Sequence, residues 1–516
     1  MRINQLLNSL LLCSLLASTA LMAQTDTPPT FRFHSGLEPA TVDPAALIDA
    51  TGGFLFFNLY RTLYRLDKNN IPQPELAEKC SWQDKYKLIL FCRLKPNLKF
   101  SNGQPLTASH FVSAWRRLID PKTGSRHAEL LLSLANAQKI NRGEAQLEEL
   151  GVIARNDRLL EIKLEQPDLE FLFKISSPVL TPLWSLPPTQ PEKFNTMVGT
   201  GPYRISQWHL KTRIQLEPNP YYPIQNNRPL VEILILEEDS TALQMFDLGK
   251  LDFLRRLNIK EIPSRKKGPD FHFIPTYRFD YIGFGPDLKD QLQLRKALAL
   301  SLNYPELTKA YLTPGQVGCP SLPKSLSQPW PCLHFDLKAA TQAWSLVPTM
   351  FQSSKTPALT LTYSRAGGED IGRGMEWMQS QWKKHLGLQV SLQPLESGFF
   401  FQTLKDKPPT LFRKGTNLDR PTCLAALEIF ASNSIDNNIG LHDKNYDDLL
   451  AKLRTEGTLA LKKKWCGQAL RILIDQYRII PLGELYFAIL AKPHFRGWRV
   501  TPLNQLDLTQ LKFVRN

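Results

Sequence analysis

The chain has 516 residues, 42% hydrophobic and 22% charged, which excludes a disordered, collagenous or coiled-coil protein and fits a globular one. Its length is too great for a single core and implies two or three domains. Lys and Arg number 63 against 48 Asp and Glu, a formal charge of +15. The runs Arg265-Lys266-Lys267 and Lys462-Lys463-Lys464 are short and the rest is dispersed, so no nucleic-acid partner is expected, only a weak preference for anionic surfaces or ligands.

At the N-terminus Arg2 precedes an apolar stretch from Leu6 to Leu16, then Ala17-Ser18-Thr19-Ala20 and Ala23-Gln24. That order is a secretory signal, expected to cover 1–23 and to be cleaved near Ala23, with Ala20 as the second choice. The apolar core falls short of the roughly 20 residues needed to span a bilayer. Cys13 follows Leu10-Leu11-Leu12 rather than a small residue, so it reads as part of the apolar core. The mature chain is expected free in a periplasm.

Further along, Thr30 to His34 alternates as a strand, Thr51 to Tyr64 suits a helix, and Trp82 to Phe91 reads as a hairpin turning near Asp84-Lys85. Ser101-Asn102-Gly103-Gln104-Pro105-Leu106 is a turn-rich loop, Thr107 a helix cap, Ala108 to Leu118 a helix and Pro121 its stop. Two short strands surround Asn156-Asp157. Prolines 182, 187, 188 and 191 mark a connection. Strands follow at 201–208, 213–217 and 230–236, then a helix over 241–248 ending at Gly249. A helix is predicted over 295–303. The succession of strand 358–363, helix 370–386 stopped by Gly387 and strand 388–392 is a β-α-β unit. The last clear helix is 461–475, with strand-like material over 479–490.

Six cysteines follow the signal: Cys80, Cys92, Cys319, Cys332, Cys423 and Cys466. An even number in an oxidising compartment points to disulfides, and six allow fifteen pairings. Chain proximity favours Cys80 with Cys92, Cys319 with Cys332, and Cys423 with Cys466. There is no CxxC, no G-x-S-x-G, no H-E-x-x-H and no phosphate-binding glycine loop. The nine histidines form no cluster. No catalytic residue, metal or cofactor is expected, and the chain reads as a binding protein rather than an enzyme.

Several phrases carry a resemblance. Phe100 to Val112 (FSNGQPLTASHFV), continued by Ala114 to Thr123, is similar to the signature region of the extracellular solute-binding proteins of peptide ABC importers, in their oligopeptide-binding branch. Gly199-Thr200-Gly201-Pro202-Tyr203 with Trp208 and Leu216 to Tyr222, then Leu248 to Asp252, then Leu294 to Leu298, resemble further phrases of that family, in family order over essentially the whole mature length. The resemblance implies an α/β, bilobed periplasmic-binding-protein fold with an extra α+β subdomain inserted in the first lobe. Lobe I would combine 24–65, 195–275 and 488–516, the insertion would cover 66–194, and lobe II 276–487. It further implies a monomer that closes on an oligopeptide or peptide-like solute and delivers it to an ABC permease in the inner membrane.

The residues this resemblance assigns to the ligand are mixed. Glu38 matches the family's first ligand-lining segment, while its neighbour Pro39 has no N–H to offer. His127 stands where the branch has tyrosine. Gly285 replaces a common asparagine, with Tyr281 expected to line the cleft. Arg413 could serve a ligand carboxylate, about two positions from the family's arginine. In the loop Lys414-Gly415-Thr416-Asn417-Leu418-Asp419-Arg420-Pro421-Thr422, Lys414 replaces the family's tryptophan and Asn417 the aspartate that holds a peptide's ammonium. Asp419, two residues on, would share a face with Asn417 in an extended chain. An asparagine does not neutralise an ammonium, so a modified peptide or a small anion is an alternative ligand, and a transport-independent sensor or holdase an alternative role.

Overall fold

The computed structural model describes residues 29–47, 50–223, 227–310, 318–323, 329–352, 359–365, 369–455 and 457–515. The expected signal segment and its cleavage point lie outside them. Three main sheets organise the rest. The first has seven strands in the order Phe271–Pro275, Tyr486–Ala491, Phe253–Leu254, Thr30–His34, Leu230–Leu234, Arg213–Pro218, Tyr203–His209. Thr30–His34 alternates as expected, burying Phe31 and Phe33, and pairs in parallel with Leu230–Leu234. The chain leaves this sheet after its first strand and returns to it near 203.

Between those visits it builds a four-stranded antiparallel sheet, Ala77–Trp82, Ile89–Leu94, Leu159–Lys163, Val152–Asn156. Helix Ala108–Ile119 covers it, burying Phe111, Trp115 and Leu118. The Thr107 N–H donates to His110 Nδ1 at 3.1 Å, so a histidine takes the place of the usual glutamate in the cap. The expected hairpin is present, but its turn is wider than a two-residue loop. The Asp84 carboxylate accepts from the backbone of Tyr86, Leu88 and Ile89, which organises the turn from one side chain.

The helix expected to reach Tyr64 ends at Leu59. The Thr200 and Gly201 N–H groups donate to Leu59 O at 3.0 and 2.8 Å, terminating it. A Cβ at Gly199 or Gly201 would lie 2.2 Å from Leu59 O or Asn58 O, so only glycine admits this approach.

The third sheet has the order Val390–Leu395, Leu359–Ser364, Leu411–Asn417, Arg278–Phe284, Ile479–Pro481. Leu359–Ser364 and Val390–Leu395 are parallel and joined by helix Glu369–Leu386, which ends before Gly387 at φ +66°. The expected β-α-β unit therefore forms. The chain passes between the first and third sheets twice, through 276–277 and 482–485. These crossings are neighbours: the Thr276 N–H donates to Leu485 O at 3.0 Å, and the Leu482 N–H to Asp280 O at 2.8 Å. The result is a mixed α/β molecule of two lobes, the four-stranded unit being an extra subdomain beside the first sheet.

Three disulfides join Cys80 to Cys92, Cys319 to Cys332 and Cys423 to Cys466, the pairing that chain proximity favours. The first two close separations of 12 and 13 residues, the third one of 43. In the chain-entropy description the longer loop stabilises more, by about 1 kcal/mol relative to the Cys80 bridge. Urea unfolding of the two double Cys→Ser variants should show that excess for the Cys423–Cys466 variant; equal losses would contradict it.

Candidate ligand-binding cleft

The space between the lobes is bounded on one side by the turn Arg126–Leu131 and the segment around helix Phe171–Lys174, both from the inserted unit. Residues 414–438 of the second lobe form the other side. Charged side chains meet across it. Arg420 is 1% exposed and its Nε lies 2.6 Å from Glu170 Oε2, itself 3% exposed. Arg420 also pairs with Asp419 at 2.8 Å and Glu428 at 2.5 Å. These three carboxylates hold its guanidinium well above its ordinary range against the opposing effect of burial. Arg126 reaches Asp436 at 3.4 Å, and buried Lys414 donates to Asp436 Oδ1 at 2.8 Å and Asn438 Oδ1 at 2.7 Å. Burial lowers the Lys414 ammonium's pKa, with Asp436 pulling the other way.

Of the residues the sequence assigned to the ligand, this arrangement brings together His127 and Asp419. His127 Nε2 lies 2.6 Å from Leu47 O, and burial is the main cause that lowers its pKa. Asp419 acts electrostatically on both His127 and Glu129. Glu38 is turned to its own lobe: its carboxylate accepts from Trp208 Nε1 at 2.7 Å and from the Lys211 N–H. Pro39, beside it, is buried.

Two expectations need correction. Tyr281 does not line the cleft: it is fully buried, its ring packed against Phe279, Phe412 and Phe430 in the second lobe's core. Arg413 is 4% exposed and ion-paired with Asp280, which is 0% exposed, so it is committed inside the sheet rather than offered to a ligand. The cause is shared. Arg278–Phe284, which carries Tyr281, lies between two strands and is buried on both faces after its first residue, and its neighbour Leu411–Asn417 is buried through Lys414, so position in a family phrase does not distinguish core from cleft there.

Asn417 and Gly415 sit at the hinge end of that sheet. Arg278 pairs in register with Asn417, Asp280 with Gly415 and Ile282 with Arg413, so these side chains share a face. The Arg278 guanidinium lies over Gly415, where a Cβ would come within 2.1 Å of Nη2. Its Nη1 is 3.4 Å from Asn417 Oδ1 and its Nε 3.7 Å from Asp280 Oδ2. Gly285 allows close packing instead: a Cβ there would lie 2.2 Å from Pro409 O.

The sequence reading missed Glu129, Glu170, Arg278, Arg420 and Asp436 as cleft residues. Arg420 lies inside the loop singled out and Glu129 two residues past His127; neither carries a local signature of its role. Among the described residues no group of three His, Cys, Asp or Glu side chains could hold a metal, and no helix is long and apolar enough to cross a membrane.

Glu129 differs from its neighbours. Asp419, Asp436 and Glu428 each meet a cation, whereas Glu129 takes part in none of those ion pairs. Glu129 is exposed at the surface, but the protein atoms around its carboxyl remove part of its water, and this, followed by repulsion from Glu428, Asp419 and Asp436, pushes it up to about 8. A carboxyl raised on folding contributes stability below its unfolded range near 4.5, and that contribution is lost as pH rises through 8. Water in the cleft screens part of the effect. Glu129→Gln should therefore melt a few degrees above the parent protein at pH 9 and converge with it toward pH 5. A gap that does not change with pH would contradict this assignment.

The comparisons agree with this architecture. A family model described as bacterial extracellular solute-binding proteins, family 5 Middle, matches residues 72–438. The dipeptide-binding protein DppE of Bacillus subtilis is 26% identical, over 94% of this chain and 92% of the relative. The probable deoxycholate-binding periplasmic protein YgiS of Escherichia coli is 28% identical, over 95% and 96%. The solved structure of the Escherichia coli murein tripeptide binding protein MppA superposes with a TM-score of 0.84 at 22% identity, covering 95% of this chain and 100% of that one. The unliganded open form of MppA gives 0.68 at 23% identity, covering 94% and 98%. The lobes here thus stand nearer the first arrangement than the open one. With the family model spanning well over half of its length, the chain belongs to the bacterial extracellular solute-binding proteins of family 5.

Proposed function

We propose that this chain is the periplasmic substrate-binding component of an ABC importer. It captures an oligopeptide or peptide-like solute between its two lobes and delivers it to a permease in the inner membrane. The observation that carries this reading is the two-lobed body hinged at two adjacent crossings, with charged groups from both lobes facing one cleft. A ligand that touches both walls stabilises the closed form, because only that form makes both sets of contacts. Relatives named for a dipeptide and a murein tripeptide support a peptide; the N-terminal order of Arg2, apolar core and Ala23 supports export with cleavage near Ala23. The mature chain acts as a monomer.

A second reading concerns the end of the ligand, and one observation favours it. Asn417 Oδ1 accepts from Arg278, so the hinge end of the cleft presents a guanidinium and an amide N–H rather than a carboxylate. Such a wall repels an ammonium and suits a carbonyl or carboxylate. An N-blocked or cell-wall peptide, or another small anionic solute, fits it better than a free peptide amine. Calorimetry with a free tripeptide and its N-acetylated form tests this. Acetylation should leave the affinity within about tenfold, or ~1.4 kcal/mol. Abolition of tight binding by acetylation would refute the relaxed amine site while leaving the peptide reading intact; failure of every peptide would count against that reading itself.

A further inference from the structure

We infer that Arg420 and Glu170 are positioning residues that hold the cleft shut through an ion pair between the lobes, without touching the ligand themselves. This rests only on the reading that the lobes open and close about the two crossings.

Glu170 immediately precedes helix Phe171–Lys174 of the inserted unit, and Arg420 follows strand Leu411–Asn417 of the second lobe's sheet by three residues. Their contact excludes water almost fully. Thr422 Oγ1 donates to the same Glu170 oxygen at 2.9 Å, so Oε2 receives two donors from the second lobe.

Each half is held by its own lobe before they meet. Arg420 is fixed by Asp419 and Glu428, both on its side of the cleft. Glu170 is set by its backbone N–H donating to Asp168 Oδ1 at 3.0 Å, and Asp168 is pinned by Lys174 at 2.7 Å, in a pair that is 0% and 5% exposed. Preorganisation of this kind reduces the ordering cost of forming a contact. The surrounding contacts are also interlobe. The Leu169 N–H donates to Arg454 O at 3.3 Å, and Phe173 packs on the second lobe's core. Cys423, bridged to Cys466, lies three residues past Arg420 and ties its loop to the helices behind it.

The chemistry makes Glu170 the group whose loss is most informative. Removing its charge leaves Arg420 with two carboxylates of its own lobe, so the second lobe keeps a satisfied cation. Only the attraction across the cleft is lost. Removing Arg420 would instead strand Glu170 in a buried site and threaten folding. The Arg126–Asp436 pair is the natural comparator, because it also crosses the cleft but its side chains are 34% and 21% exposed. Partly exposed pairs contribute little.

The test is small-angle X-ray scattering of the full mature chain, stripped of cargo by reversible unfolding with its disulfides left oxidised. The parent protein, Glu170→Gln and Arg126→Gln are compared, each checked for a cooperative melt. The parent's ligand-free curve should fit a mixture of open and closed arrangements, the closed one being that described here. Glu170→Gln should raise the open-to-closed ratio about tenfold and increase the radius of gyration, whereas Arg126→Gln should change that ratio less than about twofold. A parent that is fully open without ligand, or an identical closed curve for Glu170→Gln, overturns the proposal. No ligand enters this experiment, so its failure is distinct from failure of the peptide-binding reading.

Discussion

Among the described residues, two short stretches of backbone, 276–277 and 482–485, carry the chain between the first and third sheets, and they lie side by side. Thr276 donates to Leu485 across them. Within the first of them, the Tyr277 N–H donates to Pro502 O and Tyr277 O accepts from the Leu418 N–H. Two adjacent segments that belong to neither sheet bend together at low cost, whereas each sheet on either side is locked by its own core. Relative motion of the lobes is therefore concentrated at this line, and every group that faces its partner across the cleft is placed by the angle the two crossings adopt.

The cleft that results is polar for a physical reason. Apolar walls would bury one another and remain shut with or without a solute. Walls of paired charge compete with water and leave closure near balance, where a ligand's contacts can decide it. Here the charges interlock as Arg420 with Glu170, and Lys414 and Arg126 with Asp436, leaving Glu129 among carboxylates without a share in those pairs. At the hinge end, Arg278 lies over Gly415 and meets Asn417.

Much of the fold was legible because it rests on local rules. Thr30–His34 alternates, Gly387 ends a helix at positive φ, and the β-α-β unit follows from periods and stops. Family phrases that look arbitrary have local causes too, as Gly199 and Gly201 show by fitting against the end of helix Ala50–Leu59. What could not be read is pairing at long range. Thr30–His34 finds its parallel neighbour at Leu230–Leu234, and Arg278 finds Asn417, through the topology alone. The same limit governs the cleft. Tyr281 and Arg413 were assigned by position in a phrase, yet a central strand buried on both faces draws one into the core and the other onto Asp280. Glu129, Glu170 and Arg420 acquire meaning only when distant residues, 250 positions apart for Glu170 and Arg420, are brought face to face.

The central claim is that this chain holds a small solute between its lobes. Native mass spectrometry of protein purified from its periplasm without denaturation addresses it most directly. The account predicts a complex heavier than the mature chain by the mass of a peptide-like compound, released when the lobes unfold. A spectrum showing the bare chain alone, with no added mass after incubation with a mixture of free and N-blocked short peptides, would contradict it.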